Sequence, residues 1–195
     1  MIDFIRQNVL SHFGEQMDNA KVSPLGNGHI NHTFLVRSPA REFVLQKINT
    51  QVFTTPDALV SNADKISRHL TLKSQQQQYQ LQVVFPEQTQ AGTLSVDLGE
   101  DGFWRAINYL PHSHSVDVVS TESHAEIAAK AFGHFSAALT ELDADTIEDV
   151  IPNFHHLPGR IELLEQAVQT DSHGRVNQCR DWVDFVLSQQ DLLQE

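Results

Sequence analysis

Cysteine is nearly missing from this 195-residue chain: Cys179 is the only one. That excludes a disulfide framework and a thiolate zinc site. Long apolar runs are missing too. Nothing approaches the ~20 consecutive apolar residues of a membrane-spanning helix. The N-terminus lacks the basic stretch and apolar core of a signal peptide. Cations are scarce, with 13 Lys+Arg against 25 Asp+Glu and a formal net charge of −12. Nucleic acid and anionic membranes are bound chiefly through cationic contacts, so neither is an expected partner. There is no Walker Gly-Lys-Ser/Thr, and no His-Glu-x-x-His. With 40% hydrophobic residues the chain can still bury a core, so disorder is not expected. The expectation is a soluble, cytoplasmic protein.

The charge is uneven. Residues 1–100 hold 8 basic and 9 acidic residues, whereas residues 101–195 hold 5 and 16. The acidic half reads as solvated helix faces; a cationic substrate or bound magnesium is the sharper alternative. Eleven histidines are present, densest at His112-Ser113-His114 and His155-His156. Zinc needs three or four converging ligands, and no spacing here supplies them, so no metal site is expected. Cys179 reads as an incidental thiol. Trp104 and Trp182 read as core or interface residues.

Hydrophobic periodicity orders the elements. Ile2, Ile5, Val9 and Phe13 mark one face of a helix ending near Met17. Short β-rich stretches follow at residues 20–24, 32–37 and 42–48, with Pro24, Gly26 and Gly28 breaking the chain between the first two. A helix is expected from Pro56 to about Leu72, then a short polar linker at Gln75–Gln78. Further strands are expected at residues 79–85, 92–98 and 103–109, with Asp101-Gly102 turning between the last two. After Pro111 the pattern is helical: residues 122–142, 160–170 and 176–187. Ile127, Ala131, Phe135, Ala138 and Leu142 form the stripe expected to be buried on the first of these. The class is α+β, with an antiparallel or mixed sheet carrying one inserted helix, followed by helices. The boundary falls at about residues 110–116, where acidity rises.

The chemistry-bearing stretch is Gly26-Asn27-Gly28-His29-Ile30-Asn31. Glycines let backbone approach a ligand closely, and successive N–H groups in such a turn can cradle an anion. A Gly-X-Gly between strands is also an ordinary turn. Strand rather than helix follows it, which excludes a dinucleotide fingerprint. Lys47 ends the third strand, and a helix comes next. Glycine loop, lysine-bearing strand and helix follow one another as in protein kinases, where the lysine holds nucleotide phosphates. Asn108, Tyr109 and Leu110 then occupy the hinge that would meet an adenine edge, within residues 108–116.

These residues resemble a known group. Gly26 to Phe34, Phe43-Val44-Leu45-Gln46-Lys47-Ile48-Asn49 and Val52-Phe53 through His69-Leu70 are similar to the aminoglycoside/choline kinase-like phosphotransferases. The N-acetylhexosamine 1-kinase type is most similar, through Ala131-Phe132-Gly133-His134-Phe135 and the stretch Ile151 to Arg160. The resemblance implies a two-lobed kinase-like fold, with an N-lobe at 1–110 and a helical C-lobe beginning at 117. It also implies ATP and Mg²⁺, with phosphoryl transfer to a small hydroxyl-bearing molecule. Gly26, Asn27, Gly28, His29 and Asn31 would cover the phosphates, Lys47 would bind them, and Asn108–Leu110 would form the hinge.

Two departures bear on this. The family's lysine pairs with a glutamate of the next helix, yet residues 57–72 contain no Glu. Asp64 is the best substitute; otherwise it is a solvated helix residue. The family's His-Gly-Asp or His-Asn-Asp loop and its later metal-binding Asp are missing from the sequence. The expectation is therefore an N-lobe and the first C-lobe helices of a longer kinase, inactive alone, with no catalytic residue or magnesium ligand. Its partners would be a nucleotide and a small molecule, with oligomerisation possible through an exposed apolar face. The alternatives are a kinase of choline, homoserine or an aminoglycoside, and a non-catalytic nucleotide- or partner-binding module.

Overall fold

Strand parity organises the first half of the molecule. In a strand, successive side chains point to opposite faces. The computed structural model, which describes residues 1–15, 17, 19–114 and 116–189, shows six antiparallel strands: β1 (Lys21–Pro24), β2 (His32–Arg37), β3 (Glu42–Ile48), β4 (Pro86–Glu87), β5 (Ser95–Asp97) and β6 (Phe103–Asn108). Their order is β1-β2-β3-β6-β4, with β5 also paired to β6. Five α-helices accompany them: α1 (Ile2–Phe4), α2 (Pro56–Gln75), α3 (Glu122–Ala138), α4 (Leu157–Thr170) and α5 (Arg180–Ser188). The α+β class expected from the sequence is the one observed.

One face of the sheet carries Phe34, Val36, Phe43, Leu45, Trp104 and Ala106. The N-terminal helical run covers it with Ile5, Val9, Leu10 and Phe13, all essentially inaccessible. That run begins as α1, widens to a π segment at Ile5–Val9 and tightens to a 3-10 turn at Leu10–His12. It stops short of Met17, where the periodicity would end it, because Gly14 intervenes and disfavours helix. The opposite face is covered near α2. There Ile48, Val60 and Phe103 pack with Phe53, Leu59 and Leu94.

Strand residues 79–85, expected from their β-formers, do not form. Tyr79 is instead buried with Leu70 and Ala138. One residue holds the stretch instead: Asn108 Oδ1 accepts from Phe85 N (2.8 Å), Nδ2 donates to the Val83 carbonyl (3.1 Å), and its backbone N donates to the Phe85 carbonyl (3.1 Å). Just beyond this stretch, Pro86–Glu87 pairs with β6 as β4. The Asp101-Gly102 turn joins β5 to β6 as expected, with Gly102 at φ +106°.

The helix α2 runs on to Gln75 and absorbs the start of the glutamine run. In contrast, α3 ends at Ala138 rather than Leu142, because residues 139–142 close into turns. Its stripe is only partly buried: Ala138 is buried, but Phe135 is exposed and Ile127 is 63% exposed. Ala131 and Leu142 are half-buried, so helical spacing alone does not bury the whole stripe.

The chain divides into two units, Met1–Val150 and Ile151–Glu195. In the second, α4 begins three residues before the expected Arg160. Pro158 lies in its first turn, and the His156 ring accepts from Gly159 N at 3.2 Å. Asp171, left-handed at φ +37°, ends α4 and caps the following turn through Arg175 N at 2.8 Å. Among the described residues no helix is long and apolar enough to cross a membrane.

Candidate functional site

A cleft of about 340 Å³ opens on the sheet face opposite the N-terminal run. Its apolar walls are Leu25, Val44, Val84 and Ile107; Gly26, Thr33, Gln46, Asn108, Tyr109 and Leu110 add backbone and polar groups. Its size and its mixture of apolar walls with a few polar groups suit a small organic ligand. Parity explains the composition. Phe43 and Leu45 point into the core, so Val44 and Gln46 point into the cleft.

The β1–β2 turn roofs one end. Leu25 N donates to the Thr33 carbonyl at 2.9 Å, closing the hairpin. Gly26 has φ +74°, a conformation that suits glycine, and an added Cβ there would meet nothing within 4 Å. Asn27 Nδ2 donates to Asp117 at 3.2 Å, linking the turn to the segment after Leu110. Asn31 Oδ1 accepts from Asn49 N at 2.9 Å and anchors the turn to the end of β3. Gly28 and His29 are exposed. At the other end, Arg37 lies 5.8 Å from the Tyr109 ring centroid, and the Leu110 carbonyl accepts from Ser113 Oγ at 2.7 Å. Ser115, within the expected hinge, lies outside the described residues.

The structure therefore brings Gly26, Asn108, Tyr109 and Leu110 to one cleft. Lys47 is not brought there. Lys47 is paired across the ladder with Trp104, and its ammonium lies 5.6 Å from the Trp104 ring centroid, on the face of Phe43 and Leu45. It lines a separate recess with Ile30, His32 and Asn49. Nor does Asp64 pair with it: that carboxylate binds Arg68, one turn along α2, at 2.9 Å.

The cation on the cleft face is one that motif reading passed over. Arg105 shares its side of β6 with Phe103 and Ile107. Its Nε donates to Gln46 Oε1 at 3.0 Å, and Gln46 Nε2 donates to Thr33 Oγ1 at 3.2 Å. Burial lowers its pKa from the ordinary arginine value; an arginine nonetheless stays charged at neutral pH. The signal was available in the sequence: parity in Phe43-Val44-Leu45-Gln46-Lys47 puts Gln46, not Lys47, beside Val44.

Residues 21–195 match the model of the phosphotransferase enzyme family. The chain belongs to that family. The six-stranded sheet with α2 is thus the kinase-like N-lobe of an aminoglycoside/choline kinase-like phosphotransferase. Kinases of this family act on small molecules and generally use ATP and magnesium. The cleft's lining is compatible with a nucleotide: apolar walls for a base, strand-end backbone at residues 108–110, and a glycine-bearing turn. Among the described residues no group of three or more His, Cys, Asp or Glu converges as a metal site, so no residue is assigned to magnesium.

Proposed function

We propose that this chain is the nucleotide-binding part of an ATP-dependent kinase that phosphorylates a sugar of the N-acetylhexosamine kind. The observation that carries the nucleotide reading is the cleft itself, with Leu25, Val44 and Ile107 around Asn108, Tyr109 and Leu110. The base would lie between the apolar walls and meet the backbone of residues 108–110. Gly26, Asn27, Gly28, His29 and Asn31 would border the phosphates. ATP, bound with magnesium, would supply the transferred phosphoryl group; transfer relies on positioning and on neutralising charge. The sugar reading is supported by the resemblance of residues 131–135 and 151–160 to the N-acetylhexosamine 1-kinase type.

In this reading residues 1–110 form the N-lobe, the hinge lies at about 108–116, and residues from 117 begin the helical C-lobe of a longer enzyme. Exposed apolar side chains support it. Phe132 on α3 and Trp182 on α5 are each 74% exposed, as residues awaiting a cover would be. The chain alone would bind nucleotide weakly, transfer no phosphate and reside in the cytoplasm. The excess of 11 negative charges over residues 101–195 favours a second reading, a cationic acceptor such as choline or an aminoglycoside.

Calorimetric titration of the 195-residue chain with adenosine and ADP tests the nucleotide reading. Binding of both is expected, and loss on Val44→Trp, which fills the slot. If neither ligand binds, the reading fails. Acceptor screening on the gene's full open reading frame would separate the sugar from a cationic acceptor.

A further inference from the structure

We infer that Arg105, held by Gln46, is the cation that meets the nucleotide's phosphates, and that Lys47 is not. This deepens the nucleotide reading above and rests on it. Three observations carry it.

The first is sidedness. Arg105 lies on the face that bears the cleft, two residues before Ile107 on the same strand, and its hydrogen-bond partner Gln46 lines the cleft. Lys47 lies on the other face, over Trp104. A side chain cannot cross a packed sheet. For Lys47 to reach the cleft, β3 would have to slip by one residue, which would turn Phe43 and Leu45 out of the core.

The second is the lack of an internal counter-ion. Among the described residues no carboxylate lies within 4.0 Å of the Arg105 guanidinium, although seven other ion pairs form. The helix α2, which lies over this face, has no glutamate to offer, and Asp64 is committed to Arg68. A half-buried cation without a counter-ion is costly unless an anion arrives from outside.

The third is orientation. Gln46 occupies Nε and is itself fixed by Thr33. Among the described residues neither terminal guanidinium nitrogen has a hydrogen-bond partner. Among the described residues no buried side-chain nitrogen or oxygen lacks a hydrogen-bond partner, so both nitrogens touch solvent. Two coplanar donors presented together match the oxygens of a phosphate.

The test compares adenosine with ADP, without divalent metal, on the 195-residue chain and its variants. The affinity gained on going from adenosine to ADP isolates the phosphate contribution. Arg105→Gln is expected to lose most of that gain, about tenfold or more, while adenosine binding persists and reports that the fold is intact. Gln46→Glu gives Arg105 an internal counter-ion and is expected to lose the gain as well, without removing the arginine. Lys47→Gln is expected to keep it. If Lys47→Gln abolishes the gain while Arg105→Gln and Gln46→Glu keep it, this inference is overturned and the nucleotide reading stands. If the unmodified chain binds neither ligand, the nucleotide reading itself falls and takes the inference with it.

Discussion

Lys73, near the end of α2, donates from its largely buried ammonium to Glu141 at 2.7 Å and to Gln78 at 3.0 Å. The hydrogen bond from Lys73, and after it the charge of that lysine, hold the Glu141 carboxyl below the usual carboxylate range. A carboxylate with a depressed folded-state pKa adds stability above its unfolded value, ~4.3, and loses it as pH falls through the folded one. Thermal melts of the chain and of Glu141→Gln should therefore differ at pH 7 and converge toward pH 3. Glu141 is fully exposed, so the gap will be small. A gap of constant size across that range would refute the linkage.

Trp104 anchors the other face of the sheet. It is completely buried, and its ring stacks on Phe4 with centroids 6.4 Å apart. Trp104→Ala should cost about 3–5 kcal/mol in urea unfolding, the range for emptying a large aromatic site. A loss below about 1 kcal/mol would mean that the N-terminal run contributes little to the core.

Gly102 sits at φ +106° and ψ 168°, a region essentially reserved for glycine. A Cβ there would also collide with the Lys47 side chain. The expected cost of Gly102→Ala is about 1–3 kcal/mol. Lys47 is flexible at its far end, so shortening it in the double variant Gly102→Ala/Lys47→Ala should recover only a minor part. Recovery of nearly all the lost stability would show that the collision, not the backbone, sets the cost.

Asn108 holds residues 83–85 through two side-chain hydrogen bonds. Asn108→Ala leaves the Phe85 N–H and the Val83 carbonyl without these partners, a loss of about 1–3 kcal/mol. Amide exchange at Phe85 should accelerate, and adenosine affinity should fall because Val84 lines the cleft. Unchanged exchange at Phe85 would show that the side-chain bridge is dispensable.

Much of the fold was legible because it is written locally. β2 and β3 coincide with their expected limits, since β-formers bounded by turn residues act within a few positions. The stretch 79–85 has the same composition, yet its hydrogen bonds depend on Asn108, more than twenty residues away, which no window reads. At the cleft, Gly26 and residues 108–110 were found from motif order. Gln46 and Thr33, and Arg105 on the same sheet face, were not. Their association is cross-strand, between β2, β3 and β6, and it follows only once the register is fixed. The expectation for Lys47 came from its place in a motif; the face on which a strand residue stands depends on one step of parity.

The hydrogen bonds from Arg105 through Gln46 to Thr33 run across three neighbouring strands and involve no helix. In protein kinases the phosphate-binding lysine is completed by a glutamate on a helix, and displacing that helix switches the enzyme off. A charge set by the sheet alone has no such lever. If Arg105 meets phosphate as inferred above, moving α2 would leave that cation in place, and control would have to act elsewhere, on the turn at Gly26 or on access to the acceptor.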